Sequence, residues 1–410
     1  MTESRFAAFK APLYRRYWLG SLGSVGATQF VMMGQAWLVF ELSGSAADLA
    51  ILGVAASLPT IILVFLGGVI ADRFDRRKIM LITTPIQAAL LGTLALLDAT
   101  NVVEVWHVWL IAAAFAGVAG FDWPAWQSIF PLLIDRRHMM SAVSLNAMLW
   151  QGMRMVMPGI GGIVVASYTT AAVFGIGAVG FLIMFVVVMS LRVQAVPGDA
   201  DGAWRSLVNG VKFVLNNRLF AVLIPLSYAL TFFSMSYLQI MPLFIDRVGA
   251  GAEGFGFWMS ASGLGSVLGT LATASLQTSP YLGRIMLGAP ILACAVQIIF
   301  CALAWWFPTE PWTFAMCGLA IICTAALTSV FLITSISVLQ LEVPENLRGR
   351  VMSIHGITYS LISLGALFTG GLAEWMGAPM AVALGGAIVI AATIGVWLTQ
   401  PSIRLLGRDR

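Results

Sequence analysis

The sequence is short of charge. Lys, Arg, Asp and Glu together make up 10% of 410 residues, while 60% are hydrophobic and the mean hydropathy is +0.92. A soluble domain carries roughly 25% charged residues, so a soluble fold is excluded and an integral membrane protein is expected along the whole chain. Histidine is scarcer still, at three residues. With few carboxylates inside the apolar stretches, the raw material for an intramembrane enzyme or a metal centre is thin, and no metal site is expected. No Gly-x4-Gly-Lys-Ser/Thr phosphate loop occurs, which argues against direct use of ATP, and no zinc-protease His-Glu-x-x-His is present. No cofactor is expected. The four cysteines, Cys294, Cys301, Cys317 and Cys323, all fall in two neighbouring apolar segments. Disulfide and metal frameworks place cysteines in loops or at ligand spacing, so these read as small buried hydrophobes.

What is abundant is apolar length. A bilayer-crossing helix needs about 20 mostly apolar residues. Such windows lie near 17–40, 47–71, 78–98, 105–130, 141–167 and 170–191, and again near 219–245, 254–276, 284–306, 311–340, 350–375 and 379–399. The expected fold class is an all-α membrane protein of 12 transmembrane helices. The stretch between the sixth and seventh spans is the one substantial break. It divides residues 1–191, a first six-helix bundle, from 219–410, a second, with a cytoplasmic linker at 192–218. Within that linker, residues 204–214 read as an amphipathic helix at the membrane surface, with Trp204, Leu207, Val208 and Val211 on one face.

The net charge of +4 is a topological signal rather than a nucleic-acid one. With the N-terminus inside, every Lys and Arg except Arg154 and Arg247 falls in an inner segment, while the opposite loops carry Glu41, Asp48, Asp98, Glu104, Asp246, Glu253 and Glu310. Basic residues gather in cytoplasmic loops, so both termini are expected in the cytoplasm and the span count is even. Met1 to Tyr17 is polar and basic and runs into a full-length span, unlike a cleavable signal.

The densest charge lies between spans two and three: Gly68-Val69-Ile70-Ala71-Asp72-Arg73-Phe74-Asp75-Arg76-Arg77-Lys78. Six ionic side chains at this density cannot lie in hydrocarbon and mark a turn at one membrane face. The pattern Gly-x-x-x-Asp-Arg-x-x-Arg-Arg-Lys resembles the loop between helices two and three of the major facilitator superfamily of secondary transporters. The stretches 40–46 (Phe-Glu-Leu-Ser-Gly-Ser-Ala), 121–127 (Phe-Asp-Trp-Pro-Ala-Trp-Gln) and 343–353 narrow the resemblance. They are similar to the branch holding enterobactin-type siderophore exporters and macrolide-type drug efflux pumps. The resemblance implies two pseudo-symmetric six-helix bundles in the inner membrane and a proton gradient as energy source. The cargo it implies is a small organic molecule, drug-like or siderophore-like, moved outward by a monomer surrounded by lipid. An uncoupled facilitator or importer is the alternative within transporters, and a membrane enzyme or sensor a remote one.

Several residues are candidates for the work. In the charged turn Gly68, Asp72, Arg73, Arg76 and Arg77 suit a cytoplasmic latch: Gly68 allows close helix approach, and Asp72 is then able to face the start of span eleven at Gly349, whose free N–H groups favour an anion. The plain alternative is orientation alone. Asp122 lies about 12 Å from the inner end of span four at ~1.5 Å per residue. It either accepts a long Arg from the charged turn or takes up the coupling proton. Arg154, near the middle of span five, either holds an anionic substrate or hydrogen-bonds amides and carbonyls within the bundle. Gly152, Pro158, Gly159, Gly161 and Gly162 resemble the fifth-helix motif of antiporters, with Met157 standing where a glycine usually precedes the proline. Gln29, Gln35, Tyr228, Phe232, Tyr237 and Tyr359 sit near mid-span and either line a cavity or simply pack.

Overall fold

The computed structural model describes residues 7–73, 75–191, 212–276, 279–344 and 348–406. The side chains of 64–73 and 348–350, and of Ser128, Arg136 and Ser353, lie outside the description, as does most of the predicted amphipathic linker helix. The described residues form helices and turns, with no strand among them. Two compact units emerge. One comprises Met1–Ser43 with Ala55–Asp201, the other Gly44–Val54 with Gly202–Arg410.

The first unit contains α1 (Pro12–Ser43), most of α2 (Ala46–Arg73), α3 (Arg76–Ala99), α4 (Val105–Ile129), α5 (Met139–Ser167) and α6 (Thr170–Ser190). Helix starts carry their own caps: Asp75 accepts from the Arg77 N–H at 2.9 Å, and Thr169 accepts from Ala172. Both satisfy donors that the first turn leaves open. Between helices, small residues set the spacing. A Cβ at Gly180 of α6 would lie 3.0 Å from the Gly23 carbonyl carbon of α1 and closer still to its oxygen. The two backbones therefore touch, as helices do in lipid where packing replaces the hydrophobic drive. At one end of the unit α1 is tied in by polar tips on two buried tyrosines and a half-buried tryptophan. Tyr14 Oη donates to Ala142 O at 2.9 Å, Tyr17 Oη to Trp126 O at 3.3 Å and Trp18 Nε1 to Leu145 O at 3.1 Å.

The second unit contains α7 (Arg218–Ala229), α8 (Met241–Arg247), α9 (Gly251–Leu276), α10 (Leu282–Trp306), α11 (Thr313–Glu342), α12 (Arg348–Gly356), α13 (Leu361–Met376), α14 (Ala378–Thr399) and the short α15 (Pro401–Arg404). Glycines again bring backbones together. A side chain at Gly265 or Gly269 of α9 would run into the Ile322 or Ala326 carbonyl of α11. Gly377, at φ +85°, turns α13 into α14 in a single residue, a conformation that a Cβ disfavours. Arg247, the exception to the basic-residue asymmetry, donates to Ala304 O at 2.9 Å and lies 4.5 Å over the Trp305 ring. Its charge thus meets the carbonyl end of α10, where a cation is favoured.

Among the described residues nine helical stretches are long and apolar enough to cross a membrane. The helices α1, α5 and α9 have the length without that hydropathy. They carry the polar and small residues: Arg15, Arg16 and Gln35 in α1, Arg154 in α5, and six glycines in α9.

The first turns of α2 belong with the second unit through Glu374 of α13. Its Oε1 accepts from Ser45 Oγ at 3.0 Å and from the Ala47 N–H at 3.1 Å, while Ser45 Oγ also accepts from Asp48 N. Next to this cap a Cβ on Gly370 would lie 2.6 Å from Ala50 Cβ. The Glu374→Ala variant removes the acceptor. Amide exchange at Ala47 is expected to accelerate about tenfold, the order lost with one charged hydrogen bond. Glu374→Gln, which keeps an acceptor oxygen but not the charge, should exchange at a rate between the two.

Candidate functional site

In the first unit the predicted site residues converge on α4 and α5. Asp122 of α4 is half-buried and accepts a 2.6 Å hydrogen bond from Thr83 Oγ1 of α3. The expected reach of a charged-turn arginine to Asp122 is not made by Arg77. That guanidinium donates to Val188 O at 3.0 Å and Met189 O at 2.8 Å, at the carbonyl end of α6, where the helix dipole favours it. Arg76 is half-buried in the first turn of α3. Gly68, Asp72 and Arg73 lie in the last turns of α2, and their contacts fall outside the described residues.

One residue beyond Asp122 begins a cluster that the sequence reading quoted only as part of a motif. Trp123 and Trp126 stack with ring centroids 5.7 Å apart and planes at 14°. Trp150 of α5 stands edge-on to both, at 5.4 and 5.7 Å, and Tyr17 of α1 abuts Trp126 at 6.2 Å. Offset-stacked and edge-to-face pairs are the favoured aromatic arrangements. Two features give the cluster binding character. Trp123 remains 42% exposed, and the buried Nε1–H of Trp150 has no acceptor among the described residues. Arg154 lies four residues beyond Trp150, hence on the same face of α5. The clue in the sequence was the i, i+3 spacing of the two α4 tryptophans. Trp150 comes from another helix and gave no such clue.

Along α5, Pro158, Gly159, Gly161 and Gly162 are buried, and Gly152 faces open space. A Cβ at Gly161 would sit 3.2 Å from the Phe30 ring of α1. Met157, the departure from the motif, finds its room at Gly26 of α1, where a Cβ would lie 3.3 Å from the Met157 methyl. Gln29 and Gln35 of α1 are both buried, and Gln35 Nε2 has no partner among the described residues.

In the second unit the remaining candidates cluster at a break in the seventh helix. After Ala229 the chain widens to a π turn over Leu230–Ser234, then tightens to a 3₁₀ turn over Met235–Leu238. Such turns inside membrane helices expose backbone groups and often mark functional sites. Here the exposed groups are met from other helices. Gln297 of α10, 1% exposed, donates from Nε2 to Ser234 O at 2.8 Å and accepts from Ser234 Oγ at 2.5 Å. Ser236 Oγ pairs with Thr369 Oγ1 at 2.8 Å. Gly365 of α13 and Gly385 of α14 leave space for the Phe232 and Phe233 carbonyls. Phe232 contacts Phe233 and Phe368 at 4.8 and 5.8 Å. The eleventh span breaks too, into a 3₁₀ turn at Ile357–Ser360, and Tyr228 Oη donates to the Ile354 carbonyl just before it at 2.5 Å. Tyr359 in that turn is 56% exposed, whereas Tyr237 is buried beside Phe300. Gln297 was not singled out in the sequence, because a lone amide in an apolar span carries no pattern.

The first unit offers flat aromatic walls, an indole donor, a cation and a half-buried carboxylate, and the second unit, taken by itself, offers broken helices. These are elements for holding and releasing a ligand rather than for making or breaking a covalent bond. The profile of the transmembrane secretion effector family matches residues 3–404. A transporter of unassigned function from Bacillus subtilis, YfiS, is 26% identical over 387 residues, covering 90% of this chain and 88% of its own. The enterobactin exporter EntS of Shigella boydii is 26% identical over 387 residues, covering 90% and 86%. Among solved structures, the nucleoside transporter NupG superposes with a TM-score of 0.74 at 14% identity, covering 94% and 98%. A bacterial homologue of ferroportin gives 0.69 at 16% identity, covering 95% and 99%. Family and relatives alike are transporters, and the chain is therefore a multi-pass membrane transporter of the major facilitator superfamily, in its transmembrane secretion effector family.

Proposed function

We propose that this transporter exports a bulky organic molecule bearing aromatic rings, driven by a proton gradient and working by alternating access. The observation that carries the reading is the tryptophan cluster of α4 and α5, with Trp123 exposed, a Trp150 N–H that has no acceptor among the described residues, and Arg154 on the same helix face. Stacking on indole favours flat rings, the N–H favours a ligand oxygen, and Arg154 favours an anionic group, since a guanidinium stays charged in a membrane protein. The enterobactin exporters among the relatives support outward transport of such a cargo. Asp122 takes the role of proton carrier: the carboxylate accepts from the neutral Thr83 hydroxyl on α3, a contact that holds no salt bridge to be broken when a proton is taken up or released. The distribution of basic residues supports an orientation with both termini in the cytoplasm. A single chain with two units suffices for one path, which supports a monomer. Asp72 and its neighbours remain the candidates for a latch at the cytoplasmic face.

The test is flux in proteoliposomes under an imposed pH gradient, with enterobactin, macrolides and lipophilic cations as cargo. Trp123→Ala is expected to raise the half-saturation concentration by about fivefold to tenfold, the order of one aromatic contact, and Asp122→Asn to abolish gradient-driven flux while cargo exchange persists. Flux indifferent to both gradient and Asp122→Asn would instead make the protein a facilitator.

A further inference from the structure

The second unit carries a groove that neither its helix packing nor the transport reading uses. It runs between α9, α10 and α11, has a volume of about 590 Å³ and is walled by Leu268, Ala272, Gly288, Leu292 and Leu327. Its origin is a mismatch in residue size. At Gly269 a side chain would strike the Ala326 carbonyl, so α9 and α11 are drawn together. On α10 the facing position is Gly288, where an added Cβ would meet nothing within 4 Å. Two helices thus close tightly while the third presents a hollow, flanked by Leu268 at 47% and Leu292 at 56% exposure. All three helices are the lengths of membrane spans. A hollow of this size falls in the ~300–1,000 Å³ range of ligand sites, and with an almost wholly apolar lining it offers water no partners.

One end of the groove differs from the rest. Arg284, in the first turn of α10, is exposed and lines the groove, with its guanidinium 5.7 Å from the Tyr281 ring centroid. Just before it, the Gly283 N–H is taken by Leu406 O at 3.0 Å, which anchors this end of α10 at the polar turn preceding the span. A long apolar channel that ends in a cation beside a tyrosine, at the edge of a membrane span, has the chemistry of an amphiphile with an anionic head. Basic pockets between membrane helices recognise acidic headgroups in this way, and Tyr is favoured at the headgroup level.

We propose that this groove is a binding site for an anionic phospholipid, with one acyl chain lying between Leu268, Gly288 and Leu292 and its phosphate paired with Arg284. The site selects by headgroup through Arg284 and by shape through Gly288. It is independent of the cargo site, because its lining residues share none with the tryptophan cluster or the break in the seventh helix.

The full-length protein in detergent, mixed with equal amounts of phosphatidylglycerol and phosphatidylcholine and read by native mass spectrometry, tests both halves. The parent should retain phosphatidylglycerol about fivefold over phosphatidylcholine, the preference expected of one cation at an anionic membrane surface. Arg284→Gln should bring the ratio to parity while still retaining lipid. Gly288→Trp, which fills the hollow from an open position, should lose bound lipid of both kinds, and Gly288→Ala should keep it. Equal retention of the two lipids by the parent would overturn the proposal, as would unchanged retention by Gly288→Trp. A dimer that Gly288→Trp dissociates would assign the groove to a second copy and overturn it as well.

Discussion

Gly365→Ala is expected to destabilise the second unit by about 3 kcal/mol, the upper range for forcing atoms into a filled interior. The single added carbon would overlap the Phe232 carbonyl and its neighbouring backbone atoms. Neither side can yield cheaply. On one side α13 continues to Gly370, which is pressed against Ala46 and Ala50 of α2. On the other, the Phe232 carbonyl belongs to the π turn that Gln297 and Gly385 hold in place. The same substitution six residues further along supplies the control. Gly371 is exposed, with nothing within 4 Å of an added Cβ, so Gly371→Ala should be neutral or gain up to about 1 kcal/mol through helix propensity. Thermal unfolding in one detergent, with yield of monodisperse protein alongside, compares the two. Equal midpoints for both variants would mean that the π turn is not held by the α13 contact.

The second large effect is expected at Gln297. Leucine has a similar volume but neither donor nor acceptor, so Gln297→Leu leaves Ser234 O and Ser234 Oγ without their partners in a fully buried position. Two hydrogen bonds are lost at about 1 kcal/mol each, and a stranded buried carbonyl adds roughly 1–3 kcal/mol, for a total of about 3–5 kcal/mol. Ser234→Ala should cost less, because the carbonyl keeps Gln297 Nε2. The double variant should be less destabilised than the two single values added together, with a coupling of about 1 kcal/mol. Strict additivity would indicate that the serine hydroxyl and the amide act separately.

These two positions also mark where the sequence stopped being legible. The charge asymmetry and the apolar windows describe how each segment meets lipid, and they led directly to a helical membrane protein; the superfamily came from the resemblance of the charged turn at 68–78. The break in the seventh helix depends on something else. No glycine or proline lies within Leu230–Leu238 to announce it. What permits the π turn is distributed over α10, α13 and α14, as Gln297, Gly365 and Gly385, and a pattern read along one segment cannot register it. Tyr228 and Phe232 were chosen as mid-span aromatics; Phe232 lies in the π turn and Tyr228 in the last α-helical turn before it, placements that the choice did not contain. Trp150 is a similar case. Its spacing to Trp123 and Trp126 is long in sequence and short only across α4 and α5. Arg77 shows the converse: its length suggested a partner in Asp122, yet the last carbonyls of α6 lie within its reach and hold it.

The tryptophan cluster has an optical consequence. Three indoles with centroids 5.4 to 5.7 Å apart are close enough for their transition dipoles to couple, which gives a dichroic couplet of opposite-signed bands that a single indole lacks. Eleven of the 14 tryptophans lie outside the cluster, and single Trp→Phe replacements there should remove background or leave the signal unchanged, but a loss at Trp123, Trp126 or Trp150 should collapse the same band. A cargo ring laid against Trp123 would tilt one dipole of the three and alter the shape of the signal, not merely its height. The protein thus contains a label-free reporter of occupancy in the fold itself.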